Sequence, residues 1–103
     1  MRPRCVINKG IQKTITAVTK RFTPGVAYIA AIYNPQYTDT KITKSALCSE
    51  VNKKNTCMFE FTSEQTAALE AGLANIEIYD EFNATMCYRE HFAIIRENSL
   101  QID

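Results

Sequence analysis

Residues 26–33 read Val26-Ala27-Tyr28-Ile29-Ala30-Ala31-Ile32-Tyr33, eight apolar residues in succession. Eight is far short of the ~20 that cross a bilayer as a helix. The run is apolar on both of its alternating faces, the pattern of a central strand covered on each side. Thr23-Pro24-Gly25 before it is a turn, because proline presets φ and glycine accepts φ > 0. Asn34-Pro35-Gln36-Tyr37-Thr38-Asp39 after it reads as a loop, since Pro35 cannot donate to a central ladder.

Outward from this strand the hydrophobic period stays at two rather than 3.6. Upstream, Cys5-Val6-Ile7 opens a short strand and Lys9-Gly10 turns the chain. From Ile11 to Thr19 the set Ile11, Lys13, Ile15, Ala17 then alternates with Gln12, Thr14, Thr16, Val18, a half-buried strand. Downstream, Lys41 to Cys48 alternates less cleanly and suits a strand near an edge. Lys53-Lys54-Asn55 predicts a hairpin tip, and Thr56 to Phe61 places Cys57, Phe59 and Phe61 on one face against Met58 and Glu60. One helix is predicted, from Ser63 to Ala71. Thr62 and Gln65 form a capping box at its start, and Gly72 suits its stop. So short a helix must pack, through Leu69 and through Ala67 or Thr66, and it most naturally bridges two sheets. Ala74, Ile76 and Ile78 alternate with Asn75, Glu77 and Tyr79 in a further strand, and Asp80-Glu81-Phe82-Asn83 turns. In the final stretch Met86 and Tyr88 share one parity and Ala93 and Ile95 the other, which predicts a bulge near Glu90-His91. The expected fold is all-β: an antiparallel β-sandwich, immunoglobulin-like or jelly-roll-like, of about seven strands with one short connecting helix. A small open barrel is the alternative.

The chain has 103 residues, 46% hydrophobic and 22% charged, with three Gly and three Pro, so one domain over 1–103 and one modest core are expected. Residues 1–4 read as a flexible arm. No apolar core follows Arg2 and Arg4, which argues against a secretory signal and for synthesis in the cytoplasm. The sequon Asn83-Ala84-Thr85 is then idle and the four cysteines, Cys5, Cys48, Cys57 and Cys87, stay reduced. They include no Cys-x-x-Cys and only His91 could add a ring nitrogen, so no metal is expected and the thiols read as small apolar side chains. If oxidised, Cys48 and Cys57 could link neighbouring strands.

Residues 1–54 carry ten Lys and Arg against Asp39 and Glu50, net +8; residues 55–103 carry nine acids against Arg89 and Arg96, net −7. Three readings are open: strands of the two halves interleave and neutralise, a dipolar domain docks on a copy or another protein, or the basic half binds nucleic acid. The basic residues are scattered and the total is only +1, which argues against nucleic acid.

Nothing in the sequence calls for catalysis. It holds one histidine, no phosphate-binding glycine loop and no nucleophile elbow. Cys87 and His91, four apart on a regular strand, would stand about 13 Å apart, too far for a dyad. No catalytic residue, cofactor or small-molecule substrate is therefore expected. Tyr33 and Tyr37 flank Pro35, with Arg2, Arg4 and Lys41 as candidate neighbours, and tyrosine and arginine are enriched at protein interfaces. These five residues form the expected assembly surface. The competing reading is that Tyr28, Tyr33 and Tyr88 cap the core with hydroxyls in water.

The stretch Phe59-Glu60-Phe61-Thr62-Ser63-Glu64-Gln65-Thr66-Ala67-Ala68-Leu69-Glu70-Ala71-Gly72, continued by Ala74-Asn75-Ile76-Glu77-Ile78-Tyr79-Asp80, resembles small β-sandwich virion proteins of tailed bacteriophages. These include upper-baseplate N-terminal domains and capsid-associated auxiliary proteins, and Phe92-Ala93-Ile94-Ile95-Arg96-Glu97-Asn98-Ser99-Leu100 is similar in kind. The likeness covers about the C-terminal half of the chain. It implies a non-enzymatic virion subunit that works by assembly with capsid or tail subunits or with its own copies. The alternative is a small binding module or inhibitor directed at a host protein.

Overall fold

The computed structural model describes residues 5–97, the side chains of residues 90–92 excepted. Its order is β1 (Cys5–Asn8), β2 (Lys13–Val18), β3 (Ala27–Tyr33), β4 (Ile42–Leu47), β5 (Ser49–Val51), β6 (Lys54–Phe61), α1 (Ser63–Ala67), β7 (Gly72–Asp80) and β8 (Met86–Arg96), with a 3₁₀ turn at Thr38–Thr40. The fold is all-β, as the period of two implies. Five strands in the order β1-β8-β7-β3-β4 make one sheet, and β2-β6-β5 make the other. Every pair is antiparallel except β1 with β8, where Cys5 lies beside Ala93 and Asn8 beside Arg96. The two strands lie at opposite ends of the described chain, so nothing local constrains their direction.

β3 lies between β7 and β4 and is covered unequally. Tyr28, Ala30 and Ile32 face the core and are at most 2% exposed. On the other face Ala31 is buried while Ile29 and Tyr33 are half-buried. The core contains Ile15 and Ala17 of β2, Cys57, Phe59 and Phe61 of β6, Ile76 and Ile78 of β7, Ala93 and Ile95 of β8, and Phe22 from the β2–β3 link. Phe22 stacks on Tyr28 at 4.7 Å between ring centroids, and the Tyr28 hydroxyl accepts from Thr23 N–H at 2.7 Å.

Each half of the chain pairs with the other: β1 with β8, β2 with β6, β3 with β7. The basic and acidic halves therefore interleave, and Lys9 meets Glu97 at 3.5 Å. The hairpin tip is Asn52-Lys53, both at positive φ, one residue ahead of its expected place. The bulge falls where expected: Ala74 pairs with Ala93 but Ile76 with Glu90, so β8 spends one more residue than β7.

α1 bridges the two sheets with its capping box complete, but it ends at Ala67 rather than Ala71. Asn34 explains the early stop. Its buried amide donates to the Glu70 and Ala71 carbonyls at 3.3 and 3.0 Å, holding that stretch in a link to β7. Leu69 turns fully inward instead. Thr66, also fully buried, accepts from Gly10 N–H at 3.1 Å and ties the β1–β2 turn to α1.

Candidate functional site

The outer face of the five-stranded sheet carries a charge where a strand of this type would ordinarily be apolar or wet. Glu77 sits in mid-β7 opposite Ala31 on one side and Arg89 on the other, and only 4% of it is exposed. Small Ala31 leaves room for neighbouring side chains to close over the carboxylate. Tyr33, at the end of β3, donates its hydroxyl to Glu77 Oε2 at 3.1 Å. Tyr79, two residues along β7 and on the same face, donates to Oε1. Arg89 Nη2 approaches Oε2 at 3.2 Å. Asn75 Nδ2 donates in turn to the Tyr33 hydroxyl at 3.4 Å, and Lys41 Nζ lies 4.7 Å above the Tyr33 ring.

Burial alone would raise the Glu77 carboxyl. The hydrogen bonds from Tyr79 and Tyr33, with the charges of Arg89 and Lys41, outweigh it and hold the group below its ordinary 4.5. The same bond pushes the Tyr79 hydroxyl up to about 12, assisted by burial and by the Glu77 charge. Glu77 is thus ionised and Tyr79 neutral at physiological pH. Two tyrosine rings, an arginine and a lysine are fixed around one buried anion.

Of the five expected interface residues, the structure brings Tyr33 and Lys41 into contact. Tyr37 is 47% exposed in the adjoining loop, where its N–H donates to Asn34 O at 2.8 Å. Asn34 Oδ1 accepts from Gln36 N–H at 3.0 Å and holds that loop to the β3 end. Arg2 and Arg4 lie outside the described residues. Sequence reasoning missed Glu77, Tyr79 and Arg89. The one available signal was Glu77 and Tyr79 at i, i+2 beside buried isoleucines; their meeting with Tyr33 needed the β3–β7 register.

Cys57 and Cys87 are not activated thiols. Cys48 and Cys57 meet in the core, where burial first and the neighbouring Cys48 thiol second push Cys57 up to about 12. Burial and Asp80 raise Cys87 as well, the opposite of what a nucleophile requires. The His91 side chain lies outside the described residues. Among the described residues no group of three or more His, Cys, Asp or Glu side chains is placed to hold a metal ion, and no helix is long and apolar enough to cross a membrane.

No protein-family model matches this chain, and no curated protein matches it.

Proposed function

We propose that this protein is a non-enzymatic structural subunit of a tailed-phage particle, an auxiliary or decoration subunit on the capsid or a small tail or baseplate component. It docks through the Tyr33–Tyr37–Lys41 face. The observation that supports docking is the buried Glu77 carboxylate, which fixes Tyr33, Tyr79 and Arg89 in place before any partner arrives. Side chains already ordered lose less entropy on association, and tyrosine and arginine supply much of the energy of interfaces. The phage setting rests on the resemblance carried by residues 59–80 and 92–100.

The test is quantitative mass spectrometry of particles from the phage that encodes the chain. A ratio near that of the shell protein supports a capsid subunit, and a ratio fitting a ring supports the neck or baseplate. Absence from particles refutes the proposal, and tight capture of one host protein through Tyr33 and Tyr37 would then favour a host-directed binding module.

A further inference from the structure

Cys48 is the residue at which the chain leaves one sheet for the other, between β4 and β5. The β5–β6 register pairs Val51 with Lys54, Glu50 with Asn55 and Ser49 with Thr56, and one step further sets Cys48 opposite Cys57. The two-residue tip Asn52-Lys53 closes on a hydrogen-bonded pair, Val51 and Lys54. Bonded and non-bonded pairs alternate from there, which makes Cys48 and Cys57 a non-bonded pair. The backbone of Cys48 is placed accordingly. Its N–H donates to Val26 O and its carbonyl accepts from Gly25 N–H, both at 2.9 Å, so neither group turns to β6. On β6, Asn55 O accepts from Thr19 N–H at 3.3 Å, so Asn55 and Cys57, two residues apart, turn their backbone groups to β2. The Cα atoms of a non-bonded pair stand about 4.5 Å apart, within the roughly 4.4–6.8 Å that a disulfide spans. Both side chains point inward, Cys57 fully buried and Cys48 3% exposed, and their sulfurs are neighbours.

Two thiols in this relation can join without moving the backbone. Cys5 on β1 and Cys87 on β8 are placed differently, for both belong to the five-stranded sheet. Cys57 lies across the core from them, and facing sheets stand about 10 Å apart. Access decides when the bond forms. In the folded protein the Cys48–Cys57 pair is sealed from reagents, whereas in the unfolded chain both thiols are wet and ordinary. We infer that Cys48 and Cys57 are a disulfide site whose state is set when the chain folds. Folding in the presence of a small disulfide yields the bridge, folding without one yields the two thiols, and the folded protein keeps whichever it received. In the first step one cysteine thiolate attacks the small disulfide RSSR, forms a mixed disulfide with one sulfur and expels RS⁻, which takes up the proton that the thiol lost. The second thiolate then attacks the protein sulfur of the mixed disulfide and expels the other RS⁻, protonated in the same way. Two protein thiols are oxidised and one RSSR is reduced to two RSH. The bridge ties the crossover between the sheets to the middle of β6. It is separate from the Tyr33 face and does not depend on the role proposed for it.

The experiment starts from the full chain, reduced and unfolded in guanidinium. One sample is refolded with oxidised glutathione and a second with a reducing agent. A third is refolded reduced and only then given oxidised glutathione. Free thiols are alkylated before digestion. Trypsin cuts at Lys53 and Lys54 and a glutamate-specific protease at Glu60, so Cys48, Cys57 and Cys87 fall on separate peptides and a bridge appears in mass spectra as a linked pair. The first sample should carry the Cys48–Cys57 link as its main bridge and regain the native fold. Closing a ring of ten residues should raise its folding constant on the order of 100-fold over the second sample, seen as a urea midpoint about 1 M higher. The third sample should acquire the link at least ~10-fold more slowly than the first. Four results overturn the inference: bridges to Cys5 or Cys87 in place of this one, glutathione adducts without a bridge, a bridged chain that stays non-native or gains no stability, and equal rates in the first and third samples.

Discussion

Replacing Glu77 by Gln keeps the shape of the side chain and removes its charge, so it isolates what the buried carboxylate contributes. In the native protein that carboxylate accepts from two tyrosine hydroxyls and pairs with Arg89. Hydrogen bonds to a charged group are worth about 1.5–3 kcal/mol each. The Arg89 side chain is 45% exposed, so its share falls within the ~0–1 kcal/mol of a solvated pair. Tyr33 and Tyr79 are only half-buried and partly recover water, and glutamine still offers one oxygen. Together these put the cost of Glu77→Gln at about 2 kcal/mol at pH 7, roughly a 30-fold fall in the folding constant. In urea that is a midpoint lower by about 1 M at an m-value near 2 kcal/mol/M.

The pH dependence is the sharper test. The folded-state pKa of Glu77 lies below its ordinary 4.5. As pH falls the unfolded chain therefore takes up the proton first, and the native protein loses this stabilisation through 4.5 and below. The glutamine variant has nothing there to lose. The gap between the two should be complete above about pH 6 and shrink steadily below 4.5. In alkali, Tyr79 with its pKa of about 12 works in the other sense, its contribution being lost as pH rises through 10 towards 12. Phenolate absorbance of the native protein should show one tyrosine titrating near 12 that moves down towards 10 in the variant. A urea-midpoint difference that is the same at pH 7 and pH 3 would refute the charge-based reasoning and leave only packing.

Three further outcomes are expected. Thr66→Val keeps the side-chain volume but leaves the Gly10 N–H without its acceptor in a part-buried site, so unfolding free energy should fall by about 1–2 kcal/mol in urea titrations. Gly72→Ala should cost about 2 kcal/mol or more and lower the thermal midpoint, because Gly72 has φ +132° and a Cβ there would stand 2.9 Å from Asn34 Nδ2. Cys48 and Cys57 should resist a thiol reagent at pH 8 while the protein is folded and react fully in guanidinium, since both are buried and the Cys57 pKa is about 12. Fast labelling of either in the native protein would contradict the core described here.

Hydrophobic period and short-range chemistry were enough to give the class of fold and much of its local detail. Alternation at Ile15 and Ala17, and at Cys57, Phe59 and Phe61, places the inward faces correctly, because a pleated strand sends every second side chain to the same side. The Thr62–Gln65 cap and the bulge opposite Ala74–Ile76 were equally legible, since capping chemistry and parity changes act over a few residues. Pairing was not legible. Ala31 meets Glu77, and β1 runs parallel to β8, only through contacts more than 40 residues apart. Periodicity carries no information about which strand lies beside which. The same long-range pairing interleaves the basic and acidic halves and stops α1 early through the amide of Asn34. Glu77 in particular reads as a solvated residue on an alternating strand until Tyr33 arrives from β3 and Arg89 from β8. Only the tertiary structure makes it a buried anion, because burial belongs to the set of neighbours and not to the residue.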